Sequence, residues 1–358
     1  MKKSLIALAV LAASGAAMAQ SSVQLYGIVD AFVGTTQDTI KTPGAKSQTV
    51  VESGGLKSSR WGMRGTEDLG GGLKAGFKLE QRFKSDTGAL DGVNFKGESS
   101  INLSGNFGTV ALGRMGTPYD DLRGKTNPIA DTSISPVGDT IKNAYGSTKD
   151  GVFSGKGDYT DKTDNTIAYV SPSFNGFSGA VAVSLGENKT NVADATNHSS
   201  LKLQYANGPL LVGYGFQKEE SQLTAGTPAV ATGQTEDKTY NLLAASYDFG
   251  VAKLVGGYQT LEIESKGVKQ GDNDSLYFGV QAPVAKNINV FFGYAGSEYD
   301  AVTGTDYKTT GYTLAANYVL SKRTDAYIGY KQIKKENDST GADLGKVKTL
   351  AVGVRHAF

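Results

Sequence analysis

The sequence predicts an all-β fold, a 16-stranded antiparallel transmembrane β-barrel. Three observations predict it. Short runs alternate apolar and polar residues, no apolar stretch after the N-terminus is long enough to span a bilayer as a helix, and tight turns alternate with long polar loops. Period two sends successive side chains to opposite faces of a strand, so a barrel turns alternate residues toward lipid and toward its lumen. In hydrocarbon only helices and closed barrels leave no backbone group unpaired, so with helices excluded the strands must close.

The chain begins with two lysines, an Ala- and Leu-rich stretch and Ala17-Met18-Ala19 before Gln20. That layout is a cleavable secretory signal over residues 1–19, leaving 20–358 as the barrel. Without Lys2 and Lys3 the chain carries 34 basic and 35 acidic side chains, a formal charge of −1, which gives no overall attraction to nucleic acid. Forty-seven glycines, 18 tyrosines and 14 phenylalanines suit many turns, strands and aromatic girdles. The absence of cysteine excludes disulfides and thiolate chemistry.

In order, the alternating runs fall near 22–34, 57–66, 73–83, 97–105, 108–115, 163–171, 177–186, 198–206, 209–218, 238–248, 251–263, 274–283, 287–297, 308–319, 324–335 and 347–358. Most have the roughly 9–11 residues that a tilted strand needs to cross. An even count lets the first and last strands pair without an edge. Turns such as Asn106-Phe107, Asn207-Gly208, Phe249-Gly250 and Gly70-Gly71-Gly72 are short, whereas 35–56, 187–197, 219–237 and 336–346 are long and polar. In strand 73–83, Leu73, Ala75, Phe77 and Leu79 face one way and Lys74, Lys78, Glu80 and Arg82 the other. Strand 276–282 puts Leu276, Phe278, Val280 and Ala282 outward and Tyr277, Gly279 and Gln281 inward, while Val255 breaks the pattern by sharing the inner face with Lys253.

The stretches SSVQLYGIVDAFVG, SSRWGMRGTEDLGGGLKAGFKLE, INLSGNFGTVALGR, YVSPSFNGF, SYDFGVAKL and the terminal GVRHAF together resemble the general diffusion porins of Gram-negative outer membranes, most closely the beta-proteobacterial type. The resemblance implies a homotrimer whose barrels each hold a water-filled pore, narrowed by an inward-folded third loop. It also implies residence in the outer membrane among lipid and lipopolysaccharide, and insertion by the outer-membrane assembly machinery, which would read the C-terminal Phe358. Loop 84–96 would latch onto the neighbouring subunit.

The longest gap between runs, 116–162, is the expected constriction loop region, since a loop this long needs a reason. Arg60 and Arg64, four apart on one strand, share a face opposite Trp61 and Met63, and Lys78, Glu80 and Arg82 join them from the next strand. By resemblance, Arg114 in LGR and Lys162 are basic wall positions of the constriction, Glu80 is an acidic lumen residue, and Asp120 and Asp121 are loop carboxylates facing the wall arginines. Arg123, Lys125 and Lys142 are interleaved with those aspartates, and Gly97-Glu98 stands where some members carry an arginine pair. Weak rather than strong anion selectivity is therefore expected.

No other chemistry gathers support. His198 and His356 lack companions at metal or triad spacing, Gly124-Lys125-Thr126 lacks the earlier glycine of a phosphate loop, and Asp272-Asn273-Asp274 lacks the ligand spacing of a calcium loop. The expectation is a passive channel for small hydrophilic solutes and ions, with no catalytic step, cofactor or metal. Two alternatives stay open: a channel preferring a small organic anion or phosphate, and a non-conducting barrel whose outer loops serve adhesion.

Overall fold

The computed structural model describes residues 22–129, 132–144, 158–225 and 230–358. The expected signal, 1–19, lies outside the described residues, as do 130–131 and 145–157 of the expected constriction region. Seventeen strand segments follow one another: β1 (Ser22–Asp38), β2 (Gln48–Ser53), β3 (Arg60–Gly70), β4 (Leu73–Arg82), β5 (Glu98–Gly105), β6 (Gly108–Gly116), β7 (Lys162–Val170), β8 (Phe177–Leu185) and β9 (Asn197–Asn207) form the first part. The second comprises β10 (Leu210–Ala225), β11 (Val230–Asp248), β12 (Lys253–Ser265), β13 (Val268–Ala285), β14 (Ile288–Ala301), β15 (Tyr307–Val319), β16 (Thr324–Asn337) and β17 (Asp343–Ala357).

Every neighbour pairs antiparallel, and β17 pairs back to β1 from Ile28↔Ala357 to Asp38↔Val347. Segments β2 and β3 share one position, because both pair with the same side of β1. The ring therefore has sixteen strand positions and no edge. Phe358 completes the seam by exchanging two 3.0 Å backbone hydrogen bonds with Gly27.

Alternation explains the two faces. Leu276 and Phe278 are exposed on the outside, while the intervening Tyr277 is buried. Among the described residues no helix is long and apolar enough to cross a membrane. The exposed apolar side chains of the strands, such as Leu243, Leu276 and Phe278, form the outer band. Gly70, Gly71 and Gly72 take φ values of +85°, +60° and +82°, which explains a triple glycine in that turn.

The strands continue into stretches expected as loops. Much of 219–237 and part of 336–346 are strand, and 48–53 forms β2 within the supposed loop 35–56. The extensions of β10 and β11 carry polar residues on both faces over 217–222 and 235–239, where Lys218 pairs across the strands with Asp237 at 3.1 Å. Without apolar alternation the period-two signal vanishes although the backbone ladder continues.

Segment 117–161 contains helix α1 (Pro118–Thr126) and helix α2 (Val137–Ala144). Helix α1 packs on β8 to β12 and α2 on β13 to β16. The wall residues they cover, Tyr240, Leu242, Leu261, Ile263, Tyr277 and Ala295, alternate with the exposed outer ones, so the two helices lie on the inner side of the wall. The inner face of β12 is apolar because it forms part of this dock, and Val255, which broke the simple polar-lumen pattern, is buried on that face. A second cluster joins Phe32, Leu56, Ile129, Ile134, Ala315, Tyr327 and Ala351.

Candidate pore constriction

Helix α1 starts where its sequence dictates. Thr117 caps it, the side-chain oxygen accepting from the Asp120 backbone N–H at 3.1 Å; Pro118 opens the first turn, and Asp120 and Asp121 complement the helix dipole. At the far end, Arg123 and Lys125 occupy the last turn. Arg123 turns inward, pairs with Asp158 at 2.7 Å and lies 4.6 Å from the Tyr159 ring centroid. Next to this pair Glu219 accepts from the Thr160 backbone N–H (2.6 Å), the Thr160 hydroxyl (2.9 Å) and Gln217 (2.7 Å). The returning end of the segment is thereby tied both to its own helix and to β10.

Further fasteners run along the segment. Thr126 and Tyr277 hydroxyls meet at 3.1 Å, Gln281 donates to the Pro128 carbonyl at 2.5 Å, Thr313 donates to the Ile134 carbonyl at 2.5 Å, and Lys331 pairs with Asp139 at 2.5 Å. Each wall partner comes from an inward position of a strand.

Two cavities flank this segment. One, of about 950 Å³, lies toward the long loops and is lined by Lys46, Lys84, Lys96, Lys142 and Lys331 with Asp38, Glu52 and Asp91. The other, of about 440 Å³, is lined by Lys57, Arg123, Lys125 and Lys162 with Asp120, Asp121 and Asp158. Arg82, Thr132, Asp139 and Asp161 line both and mark where they meet.

On the wall, Glu80 is buried between basic groups. Arg60 Nη1 lies 3.5 Å and Arg82 Nε 3.7 Å from Glu80 Oε1, Lys78 Nζ lies 4.0 Å from Oε2, and the Tyr26 hydroxyl donates to Oε2 at 3.1 Å. Lys78 also pairs with Glu98 at 2.7 Å. Gly97 leaves room for this cluster, since a Cβ there would lie 2.4 Å from Glu80 Oε1. Arg64 shares their face but lies toward the short turns, donating to Gln24 at 2.8 and 2.9 Å over the Tyr26 ring.

One expectation needs correction and another needs refining. Arg114 pairs across from Ser99 in the register that puts Ile101 and Leu112 together on the exposed outer face, so it points out of the barrel. There it binds Asp164 at 2.6 Å and the Lys96 carbonyl at 3.2 Å. Its position at the end of LGR gives a charge at the rim, and strand parity decides the side. Asp120 and Asp121 line the smaller cavity together with Arg82, but the ion pairs they make are with lysines: Asp120 accepts from Tyr159 at 2.7 Å and lies 3.7 Å from Lys162, while Asp121 pairs with Lys125 and Lys202. The acids that, like Arg82, line both cavities are Asp139 and Asp161. Tyr277, placed inward by its parity, is buried inside, as are Tyr119, Tyr240 and Tyr327.

The two adjacent aspartates differ electrostatically. Burial pushes the Asp120 carboxyl above its ordinary range, with Lys162 opposing the shift. Burial also acts on Asp121, but hydrogen bonds from Lys125 and Lys202 outweigh it and hold that carboxyl below the ordinary range. Lys202 and Lys331 could have been found by extending strand parity along β9 and β16. Asp139 and Asp158 could not, for no period governs an irregular loop.

Comparison with known proteins supplies the setting. A family model described as Gram-negative porin matches residues 5–338. Outer membrane porin protein 32 of Delftia acidovorans is 37% identical over 372 residues, covering the whole of both chains. Among solved structures, an anion-selective porin from Comamonas acidovorans superposes with a TM-score of 0.79 at 33% identity, covering 95% of this chain and 100% of its own. The trimer form of OmpT from Vibrio cholerae superposes at 0.68 with 18% identity, over 94% of this chain and 99% of its own.

Proposed function

Because this chain belongs to the Gram-negative porin family, an outer-membrane β-barrel family of diffusion channels, we propose that Arg60, Lys78, Glu80, Arg82, Asp120, Asp121 and Lys162 set the charge of its constriction. Arg114 is left out of that set, and Arg64 contributes only to the entrance on the short-turn side. The channel passes small hydrophilic solutes and ions passively, with weak anion selectivity and no catalytic step. It works as a homotrimer amid lipid and lipopolysaccharide, delivered by an assembly machinery that reads Phe358.

The observation that carries this reading is Arg82 at the meeting of the two cavities, both of which the loop acids Asp139 and Asp161 also line. Charges lining a narrow aqueous path act on each passing ion within a Debye length of roughly 8 Å. Basic and acidic side chains nearly balance along both cavities, which favours weak selectivity. Arg82→Gln is expected to move the zero-current potential across a KCl gradient toward cation selectivity. An unchanged potential would remove Arg82 from the constriction.

Acid should act in the opposite direction. As pH falls, Asp120 takes up its proton before Asp121 does, and the path gains net positive charge. Anion selectivity is therefore expected to rise in that window, and Asp120→Asn channels should show the raised selectivity at neutral pH and lose the step. Zero-current potentials recorded as a function of pH provide the check.

A further inference from the structure

Between the pairs Ile28↔Arg60 and Ala31↔Ser53, two residues of β1 face six of the neighbouring position, 54–59. The excess backbone cannot lie in the sheet. Asp30 shares the inner face of β1 with buried Phe32, while Val29 and Val33 are exposed outside, so the surplus folds into the lumen on Asp30's side. Resting on the pore reading above, we propose that insertion 54–59 is a second constriction element and that Asp30 is the residue that positions it.

One carboxylate organises the whole insertion. Oδ1 accepts from the Gly55 N–H at 3.0 Å and from the Tyr327 hydroxyl at 2.5 Å, and Oδ2 accepts from the N–H groups of Leu56 at 3.0 Å and Lys57 at 2.7 Å. Three backbone donors that the broken strand would leave unpaired are satisfied together. Tyr327 reaches Asp30 through a gap between glycines, since a Cβ would lie 2.2 Å from its hydroxyl at Gly55 and 2.4 Å at Gly353. The insertion also receives the tip of the inward segment: the Ser133 N–H donates to the Gly54 carbonyl at 2.9 Å, and Leu56 packs with Ile129 and Ile134.

The consequence is positional. Lys57 lines the smaller cavity, whereas Gly54, Ser58 and Ser59 line the larger. The insertion thus borders both sides of the narrowing, and Asp30 sets where Lys57 stands. A carboxylate that touches no permeating solute would in this way influence which ions pass.

The chain has no cysteine, so Lys57→Cys introduces a single addressable thiol. In reconstituted channels, an anionic methanethiosulfonate reagent is expected to lower the current and shift the zero-current potential toward cation selectivity. Adding Asp30→Ala should cut that shift by at least about half, as the side chain at 57 leaves its fixed place. Tyr327→Phe, which removes one of the four bonds and keeps the carboxylate, should reduce it by less and serves if the alanine variant does not fold. A thiol that reacts without changing the current, fails to react from the lumen, or gives the same shift in both Asp30 and Tyr327 variants overturns the inference. Absence of any current before the reagent is added would overturn the pore reading itself, and this inference with it.

Discussion

Arg123→Ala is expected to destabilise the folded barrel by about 3–5 kcal/mol, the usual cost of leaving one member of a buried ion pair behind. The guanidinium is almost wholly enclosed, with 4% of its side chain exposed, and its removal strands Asp158 beside Glu219. Because these groups tie the returning end of segment 117–161 to its helix and to β10, a looser segment should also make the single-channel current noisier. Urea unfolding of the liposome-inserted protein and single-channel recording provide the two readouts. The pH dependence has a definite sign. Burial raises the Asp158 carboxyl even with Arg123 beside it, so without the arginine protonation becomes easier still. The stability deficit of the variant should therefore shrink as pH falls. An equal deficit at all pH values would mean that lost packing against Tyr159, rather than the stranded charge, is responsible.

Leu242 and Leu243 are neighbours with opposite surroundings. Leu243 is 60% exposed on the outer face, while Leu242 is fully buried beneath helix α1. Leu243→Arg should cost about 2–4 kcal/mol, the penalty of a charge on the lipid face of a barrel well inside the membrane. It should leave ion selectivity unchanged in whatever fraction inserts. Leu242→Ala should cost about 2–5 kcal/mol through the cavity it opens, and should alter conductance because the inward segment rests on that side chain. Unfolding in lipid vesicles separates the energies, and recordings separate the channel phenotypes. Altered selectivity in Leu243→Arg would place its side chain in the lumen and reverse the strand register.

The parts legible in the sequence are those governed by a period. Strand parity set Leu276 and Phe278 apart from Tyr277, and assigned Lys78, Glu80 and Arg82 to one face, because a pleated backbone has no other way to dispose successive side chains. Parity would also have put Arg114 outside had it been carried on from Ile101 and Leu112, where motif matching drew it into the pore. The extensions of β10 and β11 escaped notice because hydrocarbon, the agent that imposes alternation, does not reach them.

The barrel is written in the chain: its strand positions, the sidedness of its walls, the tight turns and the long segment between β6 and β7. All of these follow from local geometry and from the demand that apolar side chains alternate toward lipid. The tertiary structure alone decided what fills the barrel. Asp120 and Asp121, adjacent in sequence, meet Lys162 and Lys202 on different strands, and Asp30 finds Tyr327 across the seam, 297 residues away. Such pairings depend on where a closed ring brings distant strands together, and on a buried charge needing whichever partner that closure provides.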